Sequence, residues 1–259
     1  MALSDGFLLK VKRAETPFYR FLKRLAQKLP RARLPVPRWL KPFFRFLYEL
    51  HFLLVLVLRW LRNGLYCQPL FRSRCAHVGR NFHMELMPFV SGHAGIYIGD
   101  DVVFTGRVAI MSGRVFDCPR LVLHDRVTLG HNVTISVNRE VVIEEDVRIA
   151  SHCYIADNDG HSTDAELRAR NLPPRPQEVR PVRIGRKAWV GTGCYVMKGV
   201  TIGEGAILGT NSVAISDIPP YCLALGNPAE VILRNVGKPR RTAPVSAGAA
   251  TTGGPSAPG

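Results

Sequence analysis

Between Ile184 and Ile218 the chain repeats every six residues, with an aliphatic or small apolar side chain at Ile184, Val190, Val196, Ile202, Leu208 and Ala214. A helix repeats at 3.6 residues and a strand at 2.0, so neither produces this spacing. Four positions after each of these comes a small or β-branched residue: Ala188, Cys194, Val200, Ala206, Ser212 and Ile218. A hexad of this form predicts a parallel β-helix, in which each repeat contributes one short strand and one turn.

The same beat runs upstream through Ile98, Phe104 and Ile110, then Leu123, Leu129 and Ile135, then Ile143, Ile149 and Ile155. Each trio makes one three-sided coil, because a short strand buries one aliphatic residue per face and the small residue lets the chain turn. Glycines follow the aliphatic position at residues 99, 130, 185, 191, 203 and 209, where a side chain would crowd the corner. Two breaks interrupt the beat, at about Met111 to Arg120 and at Asp157 to Pro181. The second carries Gly160, His161 and Asp164 to Arg168 before a Pro-rich return. Long loops on a rigid scaffold concentrate functional residues.

From about Leu123 to Leu233, just under half its length, the chain resembles the left-handed β-helix acyltransferases, most closely the galactoside/maltose and exopolysaccharide O-acetyltransferases. The resemblance rests on Gly160-His161 with Asp164 to Arg168, Arg183-Ile184-Gly185 leading to Trp189-Val190-Gly191, Gly199 to Gly203, Asp217 to Pro220, and Gly226 to Ala229. It implies a left-handed coil, a homotrimer with active sites between subunits, and acetyl-CoA as co-substrate, with no metal. It also implies that His161 is the general base that takes a proton from an acceptor hydroxyl. The backbone N–H of Thr192 matches the family's oxyanion donor. Trp189, Gly191, Gly209 and Thr210 match positions along the coenzyme. Where the family carries Thr-Lys-Asp before its final turn, this chain has Ile215-Ser216-Asp217, so Lys238 and Arg240 are the candidates for the coenzyme phosphate. The family's acceptor-binding Asn falls at Gly130, which leaves His131, Asn132, Asn138 and Asp157 as candidate acceptor contacts.

The chain divides by charge. Residues 1–80 hold 17 Lys and Arg against 3 Asp and Glu, while residues 81–259 hold 18 against 17, so almost all of the net +15 precedes the repeats. A basic amphipathic helix is expected from Phe18 to near Leu29, where Pro30, Pro35 and Pro37 break the pattern. A second is expected from Phe43 to Leu61. Its apolar core, Phe52 to Leu58, is shorter than the roughly 20 residues that span a bilayer, and Arg45, Glu49 and Arg59 form one charged stripe. That pattern suits an anionic membrane surface. The expected organisation is a membrane-associating helical region (1–80), a β-helix (81–233) with its catalytic loop at 157–181, and a basic then disordered tail (234–259).

No recognition helix, finger or stacking ribbon accompanies the basic charge, so a nucleic-acid partner is not expected. The first 30 residues lack the apolar core and cleavage site of a secretory signal, so the expected place of catalysis is the cytoplasmic face of the bacterial inner membrane, peripherally bound. Cys153 and Cys194 fall at small inward hexad positions and read as reduced core residues. The expected activity is O-acetyl transfer to a sugar hydroxyl, with a lipid-linked or envelope/exopolysaccharide precursor as acceptor. Two alternatives stay open: a non-catalytic membrane scaffold, and a γ-type zinc carbonic anhydrase, whose close histidine pair is missing here.

Overall fold

The computed structural model describes residues 9–14, 16–28 and 36–238. These fall into two compact units that divide between Leu58 and Arg59. The expected helical region of residues 1–80 is therefore divided between them.

In the first unit lies helix α1, Pro17–Lys28, and most of α2, Lys41–Arg62. Pro17 opens α1 at a position where its missing N–H costs nothing, and both helices fall within two residues of their expected ends. None of the 22 residues of α2 is buried, and its Phe, Leu, Val and Trp side chains are exposed along its length. Among the described residues no helix is long and apolar enough to cross a membrane.

The second unit is the three-sided parallel coil that the hexads predict, a left-handed β-helix. The first face stacks six strands: His77–Val78, Gly95–Ile98, Arg120–Leu123, Glu140–Ile143, Val182–Ile184 and Thr201–Ile202. The third face also has six: Phe89–Ser91, Val108–Ser112, Val133–Val137, Tyr154–Ala156, Tyr195–Val196 and Val213–Ala214. The second face runs from His83–Met84 through Trp189–Val190 and Ile207–Leu208 to Cys222–Gly226, eight strands with the last, Ala229–Arg234. Every pairing is parallel except that final antiparallel hairpin, which covers one end of the stack.

Register explains the period. Ile143 lies beside Leu123 and Ile184, Ile149 beside Leu129 and Val190, and Ile155 beside Ile135 and Val196. Each aliphatic residue thus stacks on its equivalent one coil away, and all of these are buried. Each such side chain contributes about 1.5–3 kcal/mol by leaving water. The small hexad residues from Ala188 to Ile218 are buried as well. Glycine at the corner is a stacking requirement: a Cβ on Gly185 would lie 2.9 Å from the backbone N of Glu204 and O of Ile202, and one on Gly203 would lie 2.4 Å from the Pro220 nitrogen.

The other end is closed by aromatic packing. A π-helical turn, Asn63–Cys67, and helix α3, Gln68–Arg74, deliver Cys67 and Phe71 into the core. Phe71 meets Phe82 and Phe104 at ring-centroid distances of 5.6 and 6.1 Å. This packing is why residues 59–80 belong with the coils.

Candidate active site

Both breaks in the beat leave the coil at the same corner, between the third and first faces. The first loop runs from Ser112 to Arg120 and the second from Ala156 to Val182. Between them in the stack, Val133–Val137 passes to Glu140–Ile143 through a tight turn at Asn138 and Arg139. The two loops and this turn border an open cavity of about 420 Å3. Met111, Ser136 and Tyr154 of the third face form its floor, and His161 stands on its wall.

Asp157 organises the corner. Its side chain is fully buried, and its carboxylate accepts the backbone N–H groups of Asn138, Arg139 and Glu140 at 2.8, 2.6 and 2.9 Å. Asn158 Nδ2 donates to the same carboxylate at 2.8 Å and to Ser136 Oγ at 3.1 Å. Asn158 Oδ1 in turn accepts the Gly160 N–H at 2.8 Å. A buried carboxylate without these donors would be costly, so Asp157 and the turn fix each other and, through Asn158, the start of the histidine loop. Gly160 has φ +80° with open space around its Cβ direction, so the turn before His161 uses glycine for its backbone conformation.

The rest of the loop is held by its own side chains. Glu178 accepts hydrogen bonds from the Ser162 and Thr163 hydroxyls and from the Thr163 and Arg175 N–H groups. These donors, led by the Thr163 hydroxyl, hold its carboxyl down to about 2. Asp164 caps the short helix α4, Ala165–Ala169, by accepting from the Glu166 and Leu167 N–H groups, and Arg175 pairs with it at 2.5 Å. Lys198 pairs with Asp159. His161, by contrast, is exposed and its ring makes no hydrogen bond or ion pair among the described residues. The loop is tied down on both sides of a histidine that is left uncommitted.

Of the residues expected at the acceptor, Asn138 lines the cavity. Its Oδ1 accepts the Gly113 N–H at 2.6 Å, joining the first loop to the middle turn. Asp157 does not contact an acceptor, because it is sealed and its oxygens are already engaged. His131 and Asn132 are not brought to this cavity either. They turn the chain between the second and third faces, and Asn132 does so at φ +55°, a conformation asparagine tolerates.

Thr192 and Thr210 turn the chain at that same second corner, two and three coils further on, and both are exposed. Trp189 projects from the adjoining face and is half exposed. The glycines there answer to stacking: a Cβ on Gly191 would lie 2.8 Å from the Thr210 nitrogen, and one on Gly209 would meet Leu225 Cδ2 at 1.8 Å. Their smallness therefore says nothing about a ligand. Lys238 is exposed and unpaired among the described residues, and Arg240 lies outside them. The thiols of Cys153 and Cys194 are buried, and burial pushes that of Cys153 up to about 11. All six cysteines are free, as a reduced core requires. Among the described residues no group of His, Cys, Asp and Glu is arranged to hold a metal ion.

Hexads stacked on three parallel faces define the class: a left-handed β-helix of the hexapeptide-repeat type. Residues 181–214 match the bacterial transferase hexapeptide family, described by six repeats. The chain is 37% identical over 110 residues to a probable acetyltransferase of Mycobacterium tuberculosis, covering 42% of this chain and 35% of that protein. It is 37% identical over 108 residues to a candidate acetyltransferase of Saccharomyces cerevisiae, covering 42% of this chain and 53% of the other. It thus spans about half or less of the length of these relatives. Among solved structures, the fold is shared with AntD, an N-acyltransferase from Bacillus cereus crystallised with dTDP and 3-hydroxybutyryl-CoA, at TM-score 0.52 and 16% identity over 64% of this chain and 87% of that one.

Proposed function

We propose that the chain is an acetyl-CoA-dependent O-acetyltransferase acting on a saccharide hydroxyl, with His161 as general base. The observation that carries this reading is the position of His161: it lines the cavity, its ring is uncommitted, and imidazole is the side chain suited to proton exchange near neutral pH.

An acceptor hydroxyl in the cavity gives its proton to His161 as its oxygen attacks the thioester carbonyl of acetyl-CoA. The new ester C–O bond forms, the C–S bond breaks, and the proton passes to the departing thiolate. No side chain needs to be acylated. Trp189 offers an exposed aromatic face for the coenzyme's arm and Lys238 an exposed cation for its phosphate. The exposed turn at Thr192 offers an N–H to the developing oxyanion. Within one chain Thr192 and His161 occupy different corners of the prism, which favours a homotrimer whose sites combine corners of two neighbouring copies.

The exposed apolar surface of α2, its charged stripe and the basic N-terminal region support attachment to an anionic membrane surface, on the cytoplasmic face, with a lipid-linked saccharide as acceptor. Sedimentation with anionic vesicles, compared with a chain lacking residues 1–58, tests the attachment. Retained binding by the shortened chain would refute it.

The enzymatic reading is tested by thiol release from acetyl-CoA by wild type and His161→Ala, each supplied with an extract of lipid-linked saccharides. Extract-dependent release by wild type alone is expected. Equal rates in the two would remove His161 from the reaction.

A further inference from the structure

The first loop brings a cation to the cavity. Arg114 lines it opposite the histidine loop, and among the fourteen lining residues it carries the one fixed charge; none is Asp, Glu or Lys. The guanidinium is exposed and has no hydrogen bond, ion pair or aromatic partner among the described residues. Of the carboxylates on the neighbouring segments, Asp157 is committed to the Asn138–Glu140 turn, Asp159 to Lys198, Asp164 to Arg175 and Glu178 to the loop, while Asp117, three residues beyond Arg114, is exposed and does not line the cavity.

The backbone that carries Arg114 is anchored on both sides. Ser112 Oγ accepts the His93 and Ala94 N–H groups at 2.7 and 3.1 Å. Gly113 donates to Asn138 Oδ1, and a Cβ on Gly113 would lie 2.1 Å from that same oxygen. Past Arg114, His93 Nε2 donates to the Phe116 carbonyl at 3.0 Å, and the Arg139 guanidinium sits 5.8 Å over the Phe116 ring. An unpaired cation on an anchored loop, facing a cavity without a carboxylate, is a built recognition group for an anion. Arg matches phosphate and carboxylate in particular, through paired N–H donors.

We propose that Arg114 selects an anionic saccharide, binding a phosphate or carboxylate of the acceptor while His161 faces the hydroxyl. The inference rests on the acyl-transfer reading for its reaction and on the cavity alone for its ligand.

The test uses the full chain with acetyl-CoA and three acceptors: glucose, glucose 1-phosphate and glucuronic acid. Wild type is expected to favour at least one charged sugar over glucose by about ten- to a hundredfold in kcat/KM, the range for one hydrogen-bonded charged contact. The preferred sugar separates a phosphate from a carboxylate reader. In Arg114→Ala the preference collapses at least tenfold, and Arg114→Lys keeps part of it. Added salt shrinks the preference, since the group is exposed. Absence of any preference in wild type, or a parallel loss on all three sugars in Arg114→Ala, overturns the proposal.

If no sugar is acetylated, ligand-observed NMR of the same charged sugars decides the two readings separately. Binding that disappears in Arg114→Ala sustains the anion site while acyl transfer to these sugars fails. No binding to wild type overturns the site as well.

Discussion

Asp157→Asn places an amide group where the structure accommodates only acceptors. Oδ1 receives the Asn138 N–H and Asn158 Nδ2, both at 2.8 Å, and Oδ2 receives the Arg139 and Glu140 N–H groups at 2.6 and 2.9 Å. Whichever way the new amide turns, its NH2 faces two donors. Two hydrogen bonds to a charged acceptor are then lost, at about 1.5–3 kcal/mol each, for a total of about 3–6 kcal/mol. With tenfold per 1.4 kcal/mol, the amides of residues 138–140 should exchange with solvent about two to four decades faster. Native-state hydrogen exchange measures this directly. The Gly209 amide, bonded to the Ala224 carbonyl at 2.8 Å two coils beyond that of Asp157, is the internal control. Exchange at 138–140 within tenfold of wild type would refute the role given to Asp157. Acetyl transfer should fall alongside, because Asn138 lines the cavity and Asn158 holds the hinge of His161.

Three further outcomes are expected. Glu178, held down to about 2 from 4.5, gives the loop stability that is fully present above about pH 4.5 and is lost as pH falls toward 2; proteolysis between Arg168 and Arg175 should rise across that window in wild type, whereas Glu178→Gln should be cleaved readily at pH 7. Gly203→Ala, whose Cβ meets Pro220 backbone, should cost about 1–3 kcal/mol by urea unfolding, a larger loss than Gly160→Ala, which meets open space and carries only backbone strain. In the folded protein at pH 8 the exposed Cys118 should react with a thiol reagent first, with Cys153 and Cys194 reacting only on unfolding; early labelling of either would contradict their burial.

The coil was legible because its physics is local: one aliphatic residue per six, repeated, names both the strand and the face. The two breaks were legible as interruptions of that beat, and the loop found between Ala156 and Val182 is the one expected. Asp157 was misread as an acceptor contact because its partners lie 17 to 19 residues upstream, a separation set by coil stacking. The signal that finds them is register: Ala156 pairs with Ser136, so the residues just after 136 must lie beneath the start of the loop. Counting one coil back along the sequence instead led to His131 and Asn132, at the wrong corner. Cys67 and Phe71 were read with the membrane-facing helices because apolar helical residues look alike whether they meet lipid or a core.

The spacing of the two loops has its own consequence. They leave one corner on strands separated by a single intervening strand, Val133–Val137, so the distance between their roots is two strand spacings, about 9.5 Å. Backbone drift cannot adjust that gap gradually, since losing or gaining a coil changes it by about 4.8 Å at a time. The height of the opening is quantised. Divergence toward a larger or smaller acceptor must then proceed through loop length and side chains such as Arg114, while the frame beneath stays in whole steps.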